Sequence, residues 1–310
     1  MYSMRNLSDQ IWKKIKSFPT LLGLGILRLA SLLPRRSQII LGKLLGISLY
    51  AFAGKRRHIA KVNIELCFPK INKSARKKLL IDTFIDNGIG IIETSMAWWA
   101  DRESFRDISV LEGQNYLNDA LDKGRGVILL GAHFSTLDLG GLLFSLHYPL
   151  NTMYRPHNNP VMEEVIRKGR LRSIKSLIDR SDFRSVIRAL KRNEIVWYAP
   201  DQDFGPTNSV YAPFFGVPAA TVTATARLAK LSKAPILMLS HHRTSTDTYI
   251  LRIHPPIANF PLDSDVESAT RINQEIEKGI KLVPSQYMWI HRRFKTHPNG
   301  KNYLYSAHEQ

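Results

Sequence analysis

The stretch His133-Phe134-Ser135-Thr136-Leu137-Asp138 holds the residue types and spacing most open to chemistry in this chain. A neutral histidine takes a proton from an alcohol near pH 7, and a carboxylate on its other nitrogen fixes the tautomer and stabilises the imidazolium. Five steps at the α-helical period turn His133 and Asp138 roughly 140° apart, so they share no face of a regular helix. They meet only if His133 lies in a turn and Asp138 in the first helical turn after it. The same residues also fit a plain helix start, with Ser135 as N-cap, Asp138 at N3 in a capping-box-like arrangement and His133 as a loop residue.

The elements around the motif place it. Val127–Leu130 reads as a short buried strand ending just before Gly131-Ala132-His133. Further apolar runs (Asn151–Tyr154, Ile195–Ala199, Ile236–Ser240, Tyr249–Ile253) alternate with helical stretches (Tyr116–Lys123, Ser135–His147, Pro160–Ser173, Asp182–Lys191, Thr221–Leu231, Val266–Leu282). Such alternation predicts an α/β fold with a central, mostly parallel sheet flanked by helices. Polar clusters follow several of these strands. Arg155-Pro156-His157-Asn158-Asn159-Pro160 follows Tyr154, and the next helix carries Arg167, Lys168, Arg170 and Arg172. Pro200-Asp201-Gln202-Asp203 follows Ala199, and His241-His242-Arg243 follows Ser240. In a parallel sheet these clusters converge on the carboxyl edge, where open α/β sheets bind ligands.

Acyl transfer to a hydroxyl suits that edge. His133 serves as base and Asp138 as its partner. Backbone N–H groups at the helix start and the Arg170 guanidinium are candidates to stabilise the oxyanion. A thioester donor needs no nucleophilic side chain, and Arg155, Arg170 and Arg172 suit a phosphate-bearing acceptor. Each has a plainer reading. The cations of Pro160–Arg172 also fit a solvated face, and Asp201 and Asp203 before Gly205-Pro206 also fit turn formers. The chain has no G-x-S-x-G elbow, Walker loop, G-x-G-x-x-G or H-E-x-x-H, so nothing predicts a bound metal or nucleotide cofactor.

Charge points to a membrane. Of the net +18, residues 1–61 hold +11: twelve Lys/Arg against Asp9 alone. That excess accompanies two apolar runs, Phe18–Leu33 and Ile39–Ala53, neither as long as the roughly 20 clean apolar residues of a spanning helix. We expect a basic, apolar membrane-anchoring region over 1–58, inserted or interfacial, and an α/β domain over 59–310. Arg35, Arg36 and Lys55–Arg57 would face the anionic cytoplasmic side. A buried helix pair is the other reading. Basic plus apolar favours an anionic membrane over nucleic acid as partner. A single cysteine, Cys67, excludes an internal disulfide framework and fits a small packed hydrophobe. Asn72–Trp99 reads as a basic helix opening followed by an apolar helix, and Lys295–Gln310 as a surface tail.

With these residues in view the chain resembles the late acyltransferases of lipid A biosynthesis, lauroyltransferase type, within the lysophospholipid and glycerolphosphate acyltransferase superfamily. The resemblance covers nearly the whole chain. Its marks include Asn63–Pro69, Glu93–Trp99, Gly131–Asp138, Tyr154–Pro160, Gly169–Arg172, Val196–Asp203 and Gln286–Lys295. It implies transfer of a fatty acyl chain from acyl carrier protein, as co-substrate, to a hydroxyl of a Kdo-bearing lipid IVA precursor. The place implied is the cytoplasmic face of the bacterial inner membrane. It also implies that His133 is the base, Asp138 its partner, and Arg170 and Asp201 binding residues that hold the site together. One residue departs from the pattern: enzymes of this type usually carry Glu where this chain has Asp138, as in the glycerolphosphate branch. Phospholipid-synthesis acyltransferases are therefore the alternative family reading.

Overall fold

A computed structural model describes residues 18–306; the basic opening of the anchoring region and the last four residues of the expected tail lie outside the described residues. The helices α1 (Phe18–Ala30), α2 (Arg35–Phe52), α3 (Gly54–Cys67) and α4 (Lys73–Trp99) come first. Then follow β1 (Ser109–Glu112), α5 (Gln114–Leu121), β2 (Val127–Leu130), α6 (Leu137–Ser145), β3 (Leu150–Tyr154), α7 (Pro160–Leu171), β4 (Ser176–Asp179), α8 (Phe183–Lys191) and β5 (Ile195–Tyr198). The chain continues through β6 (Ser209–Phe214), β7 (Val217–Val222), α9 (Ala224–Ser232), β8 (Ile236–Arg243), β9 (Tyr249–Ile253), α10 (Asp265–Leu282) and α11 (Tyr303–Ser306).

Seven strands form one sheet in the order β1-β9-β8-β2-β5-β3-β4. The run from β8 to β4 is parallel, and only the β8–β9 pairing is antiparallel. This is the expected α/β architecture. Every side chain of β2 is buried, as a strand covered on both faces requires. Ile128 and Leu130 enter one hydrophobic core, with α3, α4, α8 and α10; Val127 and Leu129 enter a second, with Trp98 and α6. Strands β1 and β4 and the β6–β7 hairpin depart from the sequence reading. β4 is only Ser176-Leu177-Ile178-Asp179, and the hairpin turns through Phe215 and Gly216, both at positive φ, without an Asn-Gly or Asp-Gly signal.

The N-terminal helices belong to this body. A Cβ on Gly88 would come within 2.3 Å of the Gly46 nitrogen and 2.4 Å of the Gly42 carbonyl oxygen, so α2 and α4 cross with their backbones touching. Arg35 opens α2 and reaches inward to the Tyr249 hydroxyl and to Glu93, at 3.4 Å. The Glu93 carboxylate is sealed from solvent and also accepts from Arg243 (2.8 Å) and Tyr249 (2.5 Å). Position 58, where we placed the region boundary, falls inside α3, whose Ile59, Ala60, Val62 and Ile64 are core residues. No single described helix is long and apolar enough to cross a membrane; α2 and α3 reach that composition only as a pair bent by 92°. The segment expected as a surface tail folds back. Tyr305 is buried, and its hydroxyl donates to Asn63 (2.8 Å) and accepts from the Phe294 N–H (3.1 Å).

Candidate active site

Strands β2 and β5 are parallel neighbours in which Leu130 stands opposite Tyr198. Three residues beyond each strand end the chain reaches His133 on one loop and Asp201 on the other. The register therefore puts the two side chains at the same height, and they bond. His133 Nδ1–H donates to Asp201 Oδ1 at 2.6 Å, and the His133 backbone N–H donates to Oδ2 at 2.9 Å. The C-terminal segment clamps the same turn: Met288 N–H donates to the His133 carbonyl (2.9 Å) and Ser135 N–H to the Gln286 carbonyl (2.7 Å). Burial pushes the Asp201 carboxyl up. The His133 charge, its two N–H bonds and the Tyr287 hydroxyl outweigh that, and the carboxyl lies below its ordinary value. An ionised Asp201 only accepts, so Nδ1 carries a proton, and in the neutral ring the lone pair falls on Nε2.

Asp138 is not the partner of His133. It lies in the first turn of α6, as the spacing predicted, but Arg170 of α7 takes it: Nε donates to Oδ1 at 2.6 Å and Nη2 to Oδ2 at 3.3 Å. The reason is geometric. Asp201 already saturates Nδ1 from the neighbouring strand, and a two-point guanidinium contact is the stronger use of a short carboxylate. The capping-box reading fails as well. Thr136 is the N-cap but its side chain makes no capping bond, and the buried Ser135 hydroxyl has no partner among the described residues.

His133, with Asp201 behind it, and the Asp138–Arg170 pair face one cavity of about 460 Å³, within the usual range for a ligand site. His133, Asp138 and Arg170 form its polar part. Ala97, Trp98, Leu142, Leu150, Ile174 and Leu239 form an apolar part continuous with the second core.

A model of the family described as bacterial lipid A biosynthesis acyltransferase matches residues 9–296. The chain is 42% identical to the lipid A biosynthesis lauroyltransferase of Escherichia coli K12, over 91% of this chain and 92% of that one. It is 41% identical to the palmitoleoyltransferase of the same strain, over 92% and 94%. It is 39% identical to a lipid A biosynthesis acyltransferase of Haemophilus influenzae, over 80% of each. This chain belongs to the lipid A biosynthesis acyltransferases. It is an enzyme that transfers an acyl group.

In this acyltransferase the other expected site residues divide. Arg155 is exposed at the cavity rim, bonded to Asn158 (3.2 Å). Arg172 does not line the cavity; it donates to the Trp98 carbonyl (2.7 Å) and ties the end of α7 to the end of α4. Asp203 also points elsewhere. Its carboxylate is enclosed and accepts from Thr296 N–H (2.6 Å), the Thr296 hydroxyl (2.8 Å) and Gly205 N–H (2.8 Å), pinning the C-terminal segment. Arg293, within the resemblance-bearing stretch Gln286–Lys295, is buried and donates to the Ala220 carbonyl (2.7 Å) and Thr221 Oγ1 (2.8 Å).

Two histidines complete the acyltransferase's cavity. His291 stands with its ring 6.0 Å from that of His133; Asn63 Nδ2 donates to its carbonyl at 2.7 Å. Burial, then the His133 charge, pushes its pKa down to about 4. His241 shares a 2.7 Å bond with Thr136 Oγ1, and burial, then His242, pushes it down to about 3. Both are therefore neutral at physiological pH. A strand end signals His241, though it gives no role; His291 follows no strand and has only its place in the resemblance-bearing stretch Gln286–Lys295.

Proposed function

We propose that the enzyme moves a fatty acyl chain, lauroyl-like in length, from acyl carrier protein to a hydroxyl of a Kdo-bearing lipid IVA precursor. The observation that carries this reading is the His133–Asp201 pair facing a cavity that is apolar along one part and charged by Arg170 at the other. The acceptor hydroxyl gives its proton to His133 Nε2 as its oxygen attacks the thioester carbonyl, and Asp201 stabilises the imidazolium. Arg170, held in place by Asp138, offsets the charge developing on the carbonyl oxygen. The tetrahedral intermediate collapses with cleavage of the C–S bond, and the proton on Nε2 goes to the leaving thiolate. No covalent acyl-enzyme forms. The acyl chain lies along Trp98, Leu142, Ile174 and Leu239, and Arg155 at the rim meets acceptor phosphate.

The enzyme works at the cytoplasmic face of the inner membrane. Leu21, Leu22 and Ile26 of α1 and Leu44, Ile47 and Phe52 of α2 are exposed, and such apolar side chains suit helices lying in the interface. Thr20 of α1 accepts from Asn159 (3.1 Å), the N-cap of α7, so the apolar face lies beside the helix that carries Arg170.

The test is acyl transfer from acyl carrier protein by the purified enzyme, with Kdo-bearing lipid IVA and with lysophosphatidate as alternative acceptors. Lipid IVA is the expected acceptor, and His133→Ala lowers the rate by about 10² or more. Exclusive transfer to lysophosphatidate sinks the acceptor assignment, and activity within tenfold of wild type in the variant sinks the base.

A further inference from the structure

Helices α3 and α4, joined through Phe68–Asn72, leave a second cavity of about 420 Å³ between them. It is separate from the acyl site. On α3, Arg56 and Asn63 reach the segment 289–291 beside His133, whereas Arg57, His58, Lys61 and Glu65 line the groove. From α4 come Lys73, Arg76 and Lys77, over a floor of Tyr50, Ile64 and Leu80. Five Lys/Arg and a histidine thus surround the space, with Glu65 as the one acid lining it. Arg57 is partly engaged, donating to backbone carbonyls of Tyr50 and Ala51. Among the described residues no carboxylate pairs with Lys61, Lys73, Arg76 or Lys77, although the next residue along, Lys78, pairs with Asp82 at 2.6 Å.

The placement of these cations opposes the local backbone. α4 opens with Lys73, Arg76, Lys77 and Lys78 and no acid in its first turn; α3 opens with Lys55, Arg56 and Arg57 and none either. A helix N-terminus carries about half a positive charge and favours anions, so both starts are electrostatically unfavourable as they stand. An anion in the groove beside the start of α4 turns that cost into an attraction. The groove's position says which anion. At its end α2 turns 92° into α3 through Tyr50 and Gly54, and Phe52 at the corner is 89% exposed. The cationic walls therefore begin where the apolar face of α2 stops, in the order in which a lipid places its phosphate beyond its acyl chains.

We infer that the α3–α4 groove binds the phosphodiester headgroup of an anionic phospholipid in the bilayer on which α1 and α2 rest. The site would fix the rotation of the enzyme on the membrane, since contact through α1 and α2 alone leaves it free to rock about their axes. This rests on the interfacial seat proposed above and not on the catalytic reading.

Vesicle partitioning of the full chain tests it, with phosphatidylcholine vesicles and with vesicles containing phosphatidylglycerol. Two variants lose equal charge: Lys61→Gln/Lys73→Gln/Arg76→Gln/Lys77→Gln in the groove, and Lys123→Gln/Lys191→Gln/Lys230→Gln/Lys233→Gln on distant surfaces. The groove variant is expected to lose about 100-fold or more in partitioning to the anionic vesicles and to match wild type on phosphatidylcholine. The distant variant is expected to lose far less. Equal losses in the two variants overturn the groove in favour of diffuse attraction. Unchanged vesicle binding with a raised KM for acyl carrier protein overturns it in favour of an acidic protein partner. Release of wild type by inorganic phosphate at matched ionic strength reassigns the groove to free phosphate. Wild type that binds no vesicle overturns the seat itself, and this inference with it.

Discussion

Two carboxylates stand at the cavity, and they are held in opposite ways. Asp201 is closed from solvent and bonded to His133 through both its oxygens. Asp138 is partly open, 11% exposed, and bonded to a permanent cation, Arg170. A carboxylate against an ionisable ring tunes a proton transfer. A carboxylate against a guanidinium places a charge that never leaves. The sequence motif joins His133 and Asp138, yet the fold separates the proton site from the charge site and gives each its own acid.

Breaking the proton site comes first. Asp201→Asn keeps the shape but offers an amide where the Nδ1–H needs an anion, and the ring can turn to the wrong tautomer. We expect kcat to fall by up to about 10⁴-fold with KM little changed, by analogy with the equivalent change in a serine-protease triad. A loss no larger than that of Asp138→Asn would erase the distinction between the two acids. Breaking the charge site comes next. Asp138→Ala and Arg170→Ala are each expected to cost about 10²-fold in kcat/KM, and the double variant little more than either, because the pair acts as a unit. Additive losses in that cycle would mean that Asp138 acts on something other than Arg170.

The same comparison shows what could be read without a structure. His133 in the strand-end turn and Asp138 in the first turn of α6 follow from local spacing, and both are where that spacing put them. Their pairing does not follow, because it depends on β5 lying beside β2 with Leu130 opposite Tyr198, a contact between residues far apart in the chain. Arg170 and Asp201 were legible as members of strand-end clusters, but not which acid each would serve. Asp203 and Arg172 carry the same residue types and turn to the scaffold instead, and composition cannot separate those fates. The α/β fold was readable from alternating runs. The gaps were β4, too short and polar to signal, and residues up to Tyr305, whose anchoring to Asn63 is again a distant contact.

Acid gives a third contrast, between the His133 ring, bonded directly to Asp201, and the cavity histidines, which burial holds neutral. His241 and His291 are held near 3 and 4 in the fold, below the ordinary 6.5. The unfolded chain therefore binds protons first as pH falls. Their contribution to stability is fully present above about 6.5 and is lost as pH falls from there to about 4 for His291 and about 3 for His241, at up to about 1.4 kcal/mol per pH unit for each ring. The acid limb of thermal stability measured for His241→Gln should be correspondingly shallower than that of wild type. An identical limb would place the acid sensitivity elsewhere.

The mildest change asks whether the charge site depends on carboxylate reach. Asp138→Glu adds one methylene beside a cavity with room for it, and Arg170 has rotatable bonds with which to meet the longer acid. If Asp138 serves Arg170, the two-point contact reforms and kcat/KM stays within about threefold of wild type, since a bidentate guanidinium pair tolerates a small shift of its partner better than a single bond does. If Asp138 instead served His133 in the working enzyme, the longer side chain would reach the ring more readily. Activity would then rise, and Asp201→Asn would be partly rescued in the double variant. Measuring kcat for Asp201→Asn alone and for Asp201→Asn combined with Asp138→Glu decides the matter: no rescue leaves the base with Asp201 and the charge with Asp138.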